Sequence, residues 1–132
     1  MNFLIVLKPN EQDWGERITD RIEEIGGKHK IVTVDSVQKA VELLKGDEHF
    51  NDVITGTFGG YLHAPWRQIQ GVANEMGTNI TVLTSVGLGI NEQDVKILAE
   101  EGVGVLDKLN FVEQMDKFVT ERSQPGKSKE IR

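Results

Sequence analysis

From Asn2 to Leu7 the chain is almost continuously apolar over the length of one strand, the pattern of a strand covered on both faces in a parallel sheet. The period then changes. Trp14, Ile18, Ile22 and Ile25 recur at spacings of 4, 4 and 3, which places them on one side of a helix and leaves Glu16, Arg17, Asp20, Glu23 and Glu24 on the other. Asn10, with Asp13 three residues on, is the expected cap at its start, and Gly26 with Gly27 the expected stop. Lys30 to Val34 is β-branched and strand-like; Ser36 then caps a helix that turns Val37, Ala40, Val41 and Leu44 inward and stops at Gly46. Asp52 to Thr57 predicts a third strand, followed by a helix that enters near Pro65, buries Trp66, Ile69, Val72, Ala73 and Met76, and ends at Gly77. Asn79 to Leu83 is the fourth strand, and Asn91 with Asp94 opens a helix bearing Val95, Leu98 and Ala99 that closes at Gly102. Val103 to Leu106 is the fifth, and Asn110 with Glu113 opens a last helix whose inward stripe is Phe111, Val112, Met115, Phe118 and Val119.

Five strands alternating with five helices predict an α/β protein of (βα)5 type, in which right-handed crossovers put helices on both faces of a parallel sheet. A dinucleotide-binding fold would call for a glycine-rich turn directly after the first strand, where this chain reads Lys8, Pro9, Asn10, Glu11. The 132 residues have room for one domain, taken as 1–122. Residues 123–132, with Pro125, Gly126 and no apolar period, are expected to form a flexible polar tail.

Composition narrows the chemistry. The chain has no cysteine, which excludes disulfides, thiolate metal sites and cysteine nucleophiles. No apolar stretch approaches the length of a membrane span and no leader pattern is present, so the expected setting is the cytoplasm, away from membranes. The formal charge is −6, and because the last ten residues carry +2, residues 1–122 carry −8. A body of that sign repels phosphate backbones, so no nucleic-acid partner is expected. His29, His49 and His63 lie far apart in sequence with no metal-ligand spacing, and no glycine stands two residues before Ser85 to make a nucleophile elbow. No metal, no cofactor and no catalytic activity is expected.

The order of elements and the residues ending several strands resemble the receiver domain of two-component response regulators, of the chemotaxis-receiver kind, over 1–122. Thr84, in Val-Leu-Thr-Ser, matches the hydroxyl that ends the family's fourth strand, and Lys108, in Val-Leu-Asp-Lys-Leu, matches its fifth-strand lysine, although Leu109 stands where a proline is usual. The resemblance implies a flavodoxin-like three-layer sandwich with a parallel five-stranded sheet in the order 2-1-3-4-5. It also implies a site at the carboxyl ends of the strands. Three family positions are changed. The acidic pair after the first strand falls on Leu7 and Lys8, and the phospho-accepting aspartate falls on Gly56, in Val-Ile-Thr-Gly-Thr, or on Thr55 or Thr57 if the alignment slips by one. Aspartyl phosphorylation needs a carboxylate nucleophile and oxygen ligands for a divalent cation, so the chain resembles an atypical, pseudo-receiver form. Lys8 is expected either to be solvated or to neutralise a carboxylate such as Asp107 or Glu11 in place of the cation.

The expectation for function is therefore a non-catalytic regulatory module that binds another protein or itself, through the face of the fourth helix, fifth strand and fifth helix that related domains use. Phe58 and Tyr61 near the third strand, with Ile97 and Leu109 near the fourth and fifth helices, are its candidate contact residues. The alternative is a flavodoxin-like binder of a nucleotide or other small molecule, using the glycine-rich loops 56–60 and 85–89. Neither loop carries a phosphate-loop signature.

Overall fold

The computed structural model describes residues 1–58, 65–85 and 91–123. Five strands, β1 (Asn2–Val6), β2 (Lys30–Val34), β3 (Asp52–Thr55), β4 (Asn79–Thr84) and β5 (Val103–Asp107), form one parallel sheet in the order β2-β1-β3-β4-β5. Helices α1 (Gln12–Ile25), α2 (Val37–Leu44), α3 (Trp66–Met76), α4 (Glu92–Glu100) and α5 (Phe111–Ser123) connect the strands or follow the last one. This is the flavodoxin-like (βα)5 sandwich expected from the sequence.

Strand alternation divides the interior in two. Leu4, Val6, Val53, Ile80, Val82 and Val103 point to the side covered by α2, α3 and α4, where they meet Ala40, Leu44, Trp66, Ile69, Ala73 and Leu98. Phe3, Ile5, Leu7, Ile54, Leu83 and Leu106 point to the other side, against Ile18 and Ile22 of α1 and Phe111, Met115, Phe118 and Val119 of α5. Burial on both faces is why β1 has to be apolar at every position from Phe3 onward. On the second side Arg21 ties the two helices, bonding both oxygens of Asp116 at 2.5 and 2.7 Å and reaching Glu24 at 2.6 Å. That contact holds the Asp116 carboxyl below the ordinary carboxylate range.

Several helix ends follow the sequence. Ser36 accepts from the Lys39 amide, Asn91 and Asp94 form a reciprocal capping box, and Gly77 closes α3 with a φ of 70° that a side chain would resist. Others differ. Asn10 caps nothing, because Pro9, Asn10 and Glu11 form a 3₁₀ turn and α1 starts after it without a side-chain cap. Asn110 likewise lies inside a 3₁₀ turn (Lys108–Asn110) whose cap is Asp107, accepting from Leu109 N at 3.1 Å. β3 ends at Thr55, two residues early, because β1, the strand it pairs with on one side, ends at the partner residue Val6. Four residues assigned to apolar helix faces are outside: Ile25 is 37% exposed at the end of α1, Met76 39% at the end of α3, Val112 is 57% exposed, and Ala99 is also exposed. The polar Gln70 is buried instead, bonded to Glu101 and Arg67.

Candidate functional site

The carboxyl ends of β1, β3, β4 and β5 converge on one rim, and register fixes which residues meet there. Val6 stands opposite Thr55, so the next residues, Leu7 and Gly56, are neighbours; Gly56 donates its amide to the Val6 carbonyl at 2.9 Å. Thr84, the last residue of β4 and buried, pairs with Asp107, the last of β5. Lys108 follows directly. The structure therefore brings Leu7, Lys8, Gly56, Thr84 and Lys108 to the same edge of the sheet.

Glu11 organises this rim. The 3₁₀ turn after β1, closed by the Glu11 amide on the Lys8 carbonyl at 2.8 Å, carries its side chain back over the strand ends. One carboxylate oxygen, Oε2, accepts from Lys108 Nζ at 2.9 Å, with both side chains only 21% exposed. The other, Oε1, lies 3.2 Å from the point where a Cβ on Gly56 would stand, and Leu7 Cδ2 is equally close to that point. A side chain at position 56 would thus start in tight contact with a carboxylate arriving from the β1–α1 turn. Lys108 also lies 5.4 Å from the centre of the Trp14 ring, whose own edge contact is Phe111 at 5.3 Å. Cation–ring attraction adds to the ion pair in holding the ammonium. Gln12 completes the turn by donating to the Leu7 carbonyl at 2.6 Å.

The sequence left Lys8 either solvated or neutralising a carboxylate such as Glu11; the cation that meets Glu11 is Lys108. The reason is geometric. The turn directs Glu11 across β3 towards β5, whereas Lys8 precedes that turn and contributes its carbonyl to it. Asp107, the other carboxylate considered for Lys8, is used as the cap of the turn after β5.

These residues do not fit a divalent cation. Leu7 offers an apolar side chain, Lys8 a positive one and Gly56 none, and Glu11 is committed to Lys108. Among the described residues no three of His, Asp and Glu lie close enough to share a metal ion, and no helix is long and apolar enough to cross a membrane. Asp52, the one acidic residue of β3, is fully buried at the opposite end of the strand, level with Phe3 and Asn79.

The proposed contact residues separate. Phe58 is not an exposed anchor: it takes a left-handed backbone with φ 58° and packs half-buried against the core on the α2–α3–α4 side. Tyr61 lies outside the described residues, as do positions 59, 60 and 86–90 of the glycine-rich loops. Ile97 is half-buried on α4, while Leu109 is 70% exposed. Sequence reasoning missed the exposure of Val112, three residues after Leu109; the signal was available, since Phe111, Met115, Phe118 and Val119 complete an i, i+4, i+7, i+8 stripe without it.

No protein-family model matches the chain, and no curated protein matches it. The strand order and three layers are those of the flavodoxin-like folds, the architecture that the receiver superfamily shares.

Proposed function

We propose that this is a receiver-like regulatory module that acts by contact with another protein and accepts no phosphoryl group on an aspartate. The observation that carries the reading is Glu11: its carboxylate crowds Gly56, the position matched to the family's acceptor, and is already paired with the strand-end lysine, Lys108. Within this rim Glu11 and Lys108 balance one another's charge. It presents no carboxylate nucleophile at position 56 and no oxygen set for the cation that would assist transfer. The contact surface in this reading is the region of α4, β5 and α5, where Leu109 and Val112 are both exposed apolar side chains.

The test is incubation with Mg²⁺ and acetyl phosphate followed by intact mass measurement. The expected result is no gain; a stoichiometric, hydroxylamine-labile gain of one phosphoryl group overturns the reading. For the contact surface, Leu109→Asp with Val112→Asp should abolish self-association seen by light scattering, or binding of a purified partner, with the circular dichroism spectrum unchanged. Unaltered association would remove this surface from the proposal.

A further inference from the structure

A second surface lies at the other side of the sheet. β2 is an outermost strand and, among the described residues, pairs only with β1, over five residues in register. The Lys30 amide bonds the Met1 carbonyl and the Val34 carbonyl accepts the Leu7 amide, which fixes the parity of the strand. Lys30, Val32 and Val34 turn their main-chain groups to β1, so Ile31 and Thr33 turn theirs outward. An edge of this kind is a template for another strand unless proline, a bulge or charge guards it. β2 has no proline and no bulge, and its one lysine, Lys30, is held by Glu48 at the strand's start.

A groove accompanies this edge. Three adjoining clefts of about 400, 240 and 380 Å³ run the length of β2; the first two share Thr19 and the last two share Gln12 and Thr33. One wall is α1, which presents Glu16, Asp20 and Glu23 to it. The cations of α1 are turned elsewhere. Arg17 lies over the Trp14 ring at 4.7 Å and Arg21 is bonded to Asp116 of α5. At the far end Lys39 is matched by Asp35 at 2.9 Å. Charge on α1 is therefore segregated, with Glu16, Asp20 and Glu23 along the open strand and both arginines away from it. Spacing agrees with an extended occupant: Glu16 and Asp20 are separated by about 6 Å of helix rise, close to the roughly 6.7 Å between alternate residues of a strand.

We infer that the β2 edge docks an extended peptide segment of a partner protein, with Lys or Arg at alternate positions, as a sixth strand. Its main chain bonds the outward groups of Ile31 and Thr33, and its basic side chains meet Glu16, Asp20 and Glu23. The surface is separate from the rim, and the inference does not rest on the receiver-like reading.

The probe is a blocked hexapeptide alternating Lys and Val, with the Glu and Val version as control, titrated into the full chain while amide resonances are followed. Expected are saturable shifts centred on Ile31 and Thr33 for the basic peptide only. Changing Glu16, Asp20 and Glu23 together to Gln should weaken binding by about tenfold or more, as the loss of several partly exposed charge pairs requires. Thr33→Pro, tolerated on an edge because it removes only an outward donor, should weaken binding with the wall charges intact. Shifts centred on the rim or on β5, equal binding of the acidic peptide, or an unchanged affinity in the Gln variant would overturn the proposal. So would protection of the Ile31 and Thr33 amides by concentration-dependent dimerisation without peptide, which would assign the edge to a second copy.

Discussion

The pair between Glu11 and Lys108 can be isolated by a double-mutant cycle with Glu11→Gln and Lys108→Met, changes that keep size and remove charge. At 2.9 Å the gross attraction is about 6 kcal/mol at an effective dielectric of 20. Most of that is offset by desolvation and by the ordering of two long side chains. Exposed pairs retain 0.2–1 kcal/mol and hydrogen bonds to charged groups about 1.5–3, and side chains 21% exposed belong between these limits. The expected coupling is about 1–2 kcal/mol. Each single variant should be the more costly form, Lys108→Met in particular, because it leaves the Glu11 carboxylate against Gly56 and Leu7 without its cation. The assay is urea unfolding of the four proteins at pH 7, read by circular dichroism at low and high salt. A coupling under about 0.3 kcal/mol, or one that vanishes at moderate salt as an exposed pair's would, refutes the claim that this contact organises the rim.

Two glycines should respond oppositely to alanine. Gly104→Ala places a Cβ 2.9 Å from Oγ1 of the buried, β-branched Thr81 and should cost about 1–3 kcal/mol, whereas Gly71→Ala meets nothing within 4 Å in the exposed middle of α3 and should gain about 1 kcal/mol, both by urea unfolding. Because Arg21 lowers the folded-state pKa of Asp116, the stability it contributes is present above the ordinary carboxylate range and is lost as pH falls through the folded pKa. Unfolding curves of the natural chain and Asp116→Asn should therefore differ at neutral pH and converge in acid; a gap that widens on acidification would reverse the sign of the argument.

What the sequence carried and what it withheld divide along local and long-range lines. The Ser36 and Asn91 caps and the Gly77 stop were legible because each is decided within four residues by a donor or a positive φ. The uninterrupted apolar β1 was legible because burial on both faces leaves no polar position. Asn10 misled since Pro9 beside it favours a 3₁₀ turn, which moves the helix start past the expected cap. At the rim, Gly56 and Lys108 could be placed from strand ends, but which lysine meets Glu11 depends on a contact across 97 residues and on the direction of a turn. The exposed edge of β2 is invisible in its composition, since Ile31, Val32 and Val34 read like a covered strand; only the order of the sheet puts it outermost.

The placement of Glu11 over Gly56 also bears on how such a rim changes through mutation. The Cβ of an aspartate introduced at position 56 alone would stand 3.2 Å from a carboxylate oxygen and a leucine methyl, combining tight contact with like-charge repulsion. Removing Glu11 alone would strip Lys108 of its partner while supplying no acceptor. A carboxylate at position 56 is thus expected to need two coupled substitutions, each first step losing stability on its own. The arrangement works as an epistatic ratchet: once a side chain from the neighbouring turn occupies the vacancy beside a glycine, the glycine is held in place by its neighbour.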